Sequence, residues 1–429
     1  MGSKRNFLLI LIGIIIVSWF IGVLVYQSPV KTEKVYKEAI NDLKNEKYAN
    51  AYYLFSKVSF FSKLKPIALY HQAECAEKIQ DTDTAIKKYR ALFKIYPNHK
   101  LSPKAKYLAA QTLVKDDPAT AKKYFDEIIE AYPHTDFAIA AEYYSGLILM
   151  KSFTNSPDKI FPESKKTDVE NYFRHYLKKA PSGRLALNVI DSWLSLDKSI
   201  VADDYLLMAK SYYLFNEYKK AEELLKKVNF KESWAIEVQN AYALGNNARV
   251  KYLTEWGLQH HAQYIDNYDI YDAVDTYLKL FPSKYEGANR LFYLANSKGK
   301  DYIWDIKCSY SDSSAKSQCF KDLYLKYPDS PFVDDALSQI FLETIRKNDL
   351  GNAEKIGMDF LNKFKSSEFT PMVMYWVGRI AEKKHDYSGY MSYYKSVISK
   401  YPDTYYAYRA YLRMNHTRGA LITNHIKEQ

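Results

Sequence analysis

The sequence predicts an all-α chain built from repeated helix pairs, and three observations carry that prediction. Small residues recur twelve positions apart, as Ala39 and Ala51, Ala73 and Ala85, Ala109 and Ala121, and Ala209 and Ala221. An aromatic-Pro dipeptide recurs at Tyr96-Pro97, Tyr132-Pro133, Phe281-Pro282, Tyr327-Pro328 and Tyr401-Pro402, with 36 residues from Pro97 to Pro133 and 74, twice 37, from Pro328 to Pro402. No strand-like alternation punctuated by hairpin turns competes over a comparable length.

Composition agrees. The 429 residues hold only 14 Gly and 14 Pro against 47% hydrophobic residues, which excludes collagen-like and largely disordered classes. Tyr is the outlier at 41, so aromatic side chains are expected to fill the grooves between helices. The formal net charge is +11, but only 11 of the 61 cations are Arg. Nucleic-acid readers lean on Arg for bidentate contacts, whereas scattered Lys mostly solvates helix faces, so specific nucleic-acid binding is not expected. Three cysteines, Cys75, Cys308 and Cys319, are too few for a disulfide scaffold.

In chain order, residues 1–6 form a short head carrying Lys4 and Arg5. Residues 7–26, FLLILIGIIIVSWFIGVLVY, are uncharged and long enough at about 1.5 Å per residue to cross about 30 Å of hydrocarbon. They predict a transmembrane signal anchor, since no A-x-A cleavage site or lipidation cysteine follows. With Lys4 and Arg5 inside, everything after residue 26 faces the extracytoplasmic side; the reverse orientation would make a cytosol-facing adaptor.

Residues 34–230 follow as helical repeats. Ser102-Pro103 and Asp117-Pro118 each place a capping residue before Pro at a helix start. Eight residues before the recurring Pro stand Tyr89, Phe125, Phe320 and Tyr394, with Val274 as the exception; five before it stand Leu92, Ile128, Tyr277, Leu323 and Val397. These positions share one helical face. Ala109 and Ala121 are expected to face each other, while Lys122 is expected to face water. Residues 152–168 read as an inserted loop and 296–314 as a second irregular stretch. The repeat pattern is degraded over 231–364 and returns over 371–412, where 404–413 reads as a closing helix, followed by a tail at 413–429.

The pattern of a small residue, Ala twelve later, an aromatic four later and Pro eight later again is met by Ala73, Ala85, Tyr89 and Pro97, and by Ala109, Ala121, Phe125 and Pro133. In this the chain resembles tetratricopeptide repeats, which implies a right-handed superhelical solenoid of helix pairs. Its last unit departs from the pattern, with Gly378, Tyr394 and Pro402 in register but Tyr390 in place of Ala. The stretch Tyr70 to Ala141 is similar to the repeat lipoprotein of the outer-membrane barrel-assembly machinery and to related envelope repeat proteins. Tyr375 to Ala410, YWVGRIAEKKHDYSGYMSYYKSVISKYPDTYYAYRA, resembles the superhelical domain of soluble lytic murein transglycosylases just before their catalytic domain. The resemblance implies a bacterial cell envelope setting: a scaffold at the inner membrane, with its repeats in the periplasm, binding other envelope proteins through a concave surface, with peptidoglycan association. The alternative is a non-catalytic or split transglycosylase-related protein.

The chemistry of such an enzyme is missing from the sequence. Glu163-Ser164 and Glu232-Ser233 occur, but no Met-Gln dipeptide does, and Asn240 to Gly245 is better read as packing than as a sugar-lining segment. Asp116-Asp117 and Asp203-Asp204 read as helix N-termini rather than acid/base dyads. His260-His261 is no ligand set, Cys75 reads as a small buried thiol, and no phosphate loop is present. No catalytic, cofactor or metal residue is therefore expected. Cys308 and Cys319 flank residues 309–318, and in an oxidising compartment they could close that segment as a disulfide. Tyr212, Tyr213 and Tyr264, off the repeat register, are candidates for a binding groove.

Overall fold

The computed structural model describes residues 29–154, 162–196, 200–296 and 298–415. Among them every regular element is helical: 21 α-helices from Pro29–Lys44 to Tyr387–Lys400, one 3-10 turn at Ala262–Tyr264, and a closing helix at 405–415. The predicted anchor at residues 7–26 lies outside the described residues. No helix among those described is long and apolar enough to cross a membrane. Tertiary contacts divide the chain into two compact units, Met1–Leu224 and Leu225–Gln429.

The first unit shows why twelve is the repeat interval. Helices Pro29–Lys44 and Tyr48–Ser56, Lys65–Lys78 and Thr82–Ile95, and Ser102–Leu113 and Pro118–Ala131 form successive pairs, and Ala202–Leu214 with Tyr218–Leu225 follows after Asp136–Thr154, Glu163–Lys179 and Ala186–Leu196. All eight alanines of the twelve-residue pattern are fully buried. Their methyl groups let the two helices of a pair approach, and Phe55, Tyr89 and Phe125 seal the seam with no exposure.

A turn signature lies seven residues after the first Ala. Glu46, Gln80 and Asn216 adopt φ of 59°, 64° and 61°. In each case the amide three residues past the helix end reaches back five positions, as Asp81 N–H to the Ala76 carbonyl at 2.9 Å, while the amide before it reaches back three, as Gln80 N–H to the Glu77 carbonyl at 3.0 Å. That is the Schellman closure of a helix C-terminus. Asp81 then caps the next helix by accepting the Thr84 N–H at 3.1 Å. At 114–118 Pro118 replaces this turn, and Asp117 caps through Thr120 at 3.0 Å. The aromatic-Pro tyrosines tie neighbouring pairs: Tyr96 OH donates to the Phe60 carbonyl and Tyr132 OH to the Pro97 carbonyl, each at 3.3 Å.

The second unit repeats the turn at Gly245, Asn348 and His385, with φ of 75°, 58° and 60°. Its pairs keep the volume of the seam while exchanging who supplies it. Phe341 stands where a small residue is expected, and Gly357 faces it from the partner helix. Trp234 lies over Gly257 in the same manner. In the last pair Gly378 opens space for Tyr394, and Tyr390 is buried at the Ala position.

Three expectations need correction. The 152–168 loop is shorter, because Asp136–Thr154 continues as helix and Glu163–Lys179 begins early. The polar run 163–168 is the first turns of a helix that buries Val169, Phe173 and Leu177, with Lys166 tucked in among them. Likewise 296–314 contains helix Lys300–Ser309, which buries Ile303, Ile306 and Cys308. Phe281-Pro282 follows the first helix of a pair, Asn267–Leu278, rather than a second one, which explains the exceptional Val274. Cys308 and Cys319 are disulfide-bonded, with Cα atoms 5.4 Å apart, and join helix Lys300–Ser309 to Ser313–Lys326.

Candidate partner-binding grooves

Two concavities in the first unit arise from one element. Helix Asp136–Thr154 has 19 residues against 14 in Pro118–Ala131, so it is longer by about 7 Å. Its C-terminal end, Leu147 to Ser152, stands opposite the turn of the preceding pair at Val114, Lys115, Pro118 and Ala119. The space between them is a groove of about 980 Å³. Leu147, Ile148, Leu149 and Val114 supply an apolar floor, and Lys123 and Glu130 stand on its exposed rim.

Lys122 does not face water as expected. Its ammonium lies 2.7 Å from Asp126 and 3.0 Å from the Tyr172 hydroxyl. Tyr172 and Ser145 each donate to Asp126 Oδ1 at 2.8 Å. Desolvation acts to depress the Lys122 pKa, but those hydrogen bonds outweigh it and hold the ammonium above its ordinary value. This network fixes the wall between the groove and a smaller recess bounded by Asn171, Tyr172 and His175. Beneath it Glu142 is buried, its pKa raised by desolvation despite Lys179 at 3.3 Å.

The second concavity, about 490 Å³, lies between the first helices of successive pairs. Tyr107, Phe137, Tyr144 and Tyr176 wall it, and Arg184 and Asp136 stand at its edge. Phe125 stacks on Tyr144 at 5.2 Å, and Tyr107 packs on Phe137 at 5.6 Å. Burial, then the neighbouring Tyr144, pushes the Tyr107 hydroxyl pKa up. A box walled by aromatic rings with a charged edge is suited to a side chain of a bound polypeptide that is apolar along its stem.

Of the tyrosines singled out in the sequence, Tyr212 is core, Tyr213 packs on Tyr218 at 5.7 Å, and Tyr264 is exposed beneath the Lys231 ammonium. None lines either groove. The acidic pairs divide: Asp117 caps a helix, but Asp204 is buried and grips Arg174 at 2.7 and 2.8 Å. Cys75 is buried, and burial followed by the Glu74 carboxylate pushes its thiol up to about 11. Asn240 is buried and Gly245 closes a helix turn, as the packing reading requires. Among the described residues no group of three or more His, Cys, Asp or Glu is placed to hold a metal ion.

The pairs with this geometry coincide with a known motif. Residues 67–99, 104–135 and 372–404 each match the tetratricopeptide repeat. The chain therefore carries tetratricopeptide repeats, the class of helix pairs that presents surfaces to protein partners. Solved structures similar to it include the APC/C hetero-tetramer Cut9-Hcn1, at 12% identity over 89% of this chain and 83% of that one, with a TM-score of 0.32. Yeast Tom70 is similar at 9% identity over 83% of this chain and 96% of its own, with a TM-score of 0.31. No curated protein sequence matches the chain.

Proposed function

We propose that this protein is a membrane-anchored scaffold of the bacterial cell envelope, held by residues 7–26 in the inner membrane with its repeats in the periplasm. The observation that carries the scaffold reading is the pair of grooves between the tetratricopeptide repeat at 104–135 and helix Asp136–Thr154, one with an apolar floor and one walled by aromatic rings. The Cys308–Cys319 bond supports the compartment, because such bonds persist where the surroundings are oxidising. The partners are other envelope proteins, with peptidoglycan nearby, and the chain itself is non-catalytic.

Photo-crosslinkers placed at Lys123 and Gln111 in intact cells should each trap discrete protein partners. Recovery of none from either position would count against the scaffold. Protease added outside spheroplasts should degrade the repeats, and a protected fragment would reverse the orientation. Zymography with purified cell wall should stay blank, and muropeptide release would make the chain an enzyme.

A further inference from the structure

The second unit carries a surface of opposite character to the basic chain around it. It spans the first helices of three successive pairs, Asn267–Leu278, Lys300–Ser309 and Val333–Arg346. Asp272 and Asp275, Asp301 and Asp305, and Asp334 and Asp335 come from these helices in turn. An aromatic trio sits among them, with Tyr271 to Tyr302 at 4.3 Å, Tyr302 to Phe332 at 5.1 Å and Tyr271 to Phe332 at 5.4 Å between ring centroids. Tyr302 OH donates to Asp275 at 2.8 Å, and Ser330 Oγ donates to Asp301 at 2.8 Å, which ties these two carboxylates to the ring of Tyr302 and to the turn before Phe332.

Asp305 stands apart from its neighbours. It is only 9% exposed, and its Oδ1 has no hydrogen-bond partner. The charges acting on it are those of Asp335, Asp334 and Asp301, opposed by Lys316, whose ammonium is already bonded to the Ser309 carbonyl at 2.8 Å. Burying a carboxyl oxygen without a donor among like charges is costly unless a cation arrives to pair with it.

We propose that this surface receives a basic segment of a partner polypeptide, a Lys or Arg side chain pairing with Asp305 while its charge lies against the rings of Tyr271, Tyr302 and Phe332. Carboxylates supply the pairing and aromatic faces the cation–π attraction, a combination that selects a cationic side chain over a neutral one. The pKa of Asp305, raised to about 7 by desolvation first and then by the neighbouring carboxylates, is consistent with a site that lacks its counter-charge when empty. The proposal rests on the scaffold reading and names the chemistry of one partner.

The test uses the full chain in neutral detergent and a fluorescein-labelled octa-arginine with capped ends, read by anisotropy in 150 mM salt, about the physiological value. Octa-arginine should bind saturably and octa-glutamate should not. Asp305→Asn and the more exposed Asp334→Asn should each weaken binding, the former at least about tenfold. Asp359→Asn, which removes an exposed carboxylate from helix Leu350–Lys363, should leave it within about twofold. Equal losses from Asp305→Asn and Asp359→Asn, or no saturable binding, would overturn the proposal, as would displacement of the peptide by millimolar Mg²⁺. Partners still trapped at Lys123 and Gln111 in that event would leave the scaffold reading standing.

Discussion

Helix Leu350–Lys363 carries two glycines that should respond in opposite directions to one added methyl group. A Cβ at Gly357 would lie 2.5 Å from Val377 Cγ2 and 2.8 Å from Phe341 Cε2. Carbon contacts prefer about 3.5–4.0 Å, so the overlap approaches 1 Å or more. Phe341 is fully buried and Val377 is 1% exposed, which leaves neither room to yield. Overpacking costs about 1–3 kcal/mol, and the gain in helix propensity returns about 1 kcal/mol of it. Gly357→Ala should therefore destabilise the second unit by up to about 2 kcal/mol. At Gly351, six residues earlier, an added Cβ meets nothing within 4 Å. Gly351→Ala keeps only the propensity term and should stabilise by up to about 1 kcal/mol. Thermal melting followed by far-ultraviolet circular dichroism should separate the variants, at about 2–4 °C per kcal/mol for a unit of this size. Shifts of the same sign would refute the argument that Phe341 and Gly357 exchange volumes across the seam.

Three further outcomes follow from other parts of the molecule. Gln80 holds a left-handed conformation that disfavours side chains, so Gln80→Gly should stabilise the first unit by about 0.5–1 kcal/mol in urea titrations; no change would argue against the turn geometry. Ala121→Leu should cost about 1–3 kcal/mol, whereas Lys123→Leu, on the exposed face, should stay within about 0.5 kcal/mol; equal effects would break the twelve-residue register. The Asp305 carboxyl, facing Asp301, Asp334, Asp335 and Lys316, keeps its proton up to about pH 7 when folded, against about pH 4 when unfolded. The folded chain thus binds the extra proton between those values, so stability falls as pH rises from about 4 to about 7. Asp305→Asn should be no more stable than the parent near pH 4 and more stable above pH 7, and a pH-independent difference would exclude this origin.

How much of the fold was legible depended on whether a pair builds its seam from small residues alone. Ala73, Ala85 and Tyr89 announce themselves, because one residue type at fixed spacing survives inspection without a partner. Phe341 and Gly357, or Trp234 and Gly257, satisfy the same volume with large and small exchanged. That complementarity exists only between two helices, so no single position betrays it. The turn is the stronger signal. Asn216, Gly245 and Asn348 are residue types that tolerate left-handed φ, each followed by a helix start, and Gly245 and Asn348 mark pairs where the alanine pattern has faded.

The grooves follow a different logic. The Asp136–Thr154 helix reads as apolar nearly throughout, DFAIAAEYYSGLILMKSFT, and its excess length is visible in the sequence. What the excess creates depends on the neighbouring turn at Val114 to Ala119, which only three-dimensional stacking places opposite Leu147 to Ser152. The same holds for the acidic surface of the second unit. Its aspartates are scattered between residues 272 and 335 and are outnumbered in a basic chain. Stacked first helices align them, since each pair returns the chain to the same face one repeat later. A repeat protein thus writes its core locally, in spacings within one pair, and writes its binding surfaces across pairs. The net charge of +11 is spread over the chain and does not reveal this acidic surface. The stacked helices instead bring carboxylates and tyrosine rings together where a cation is needed.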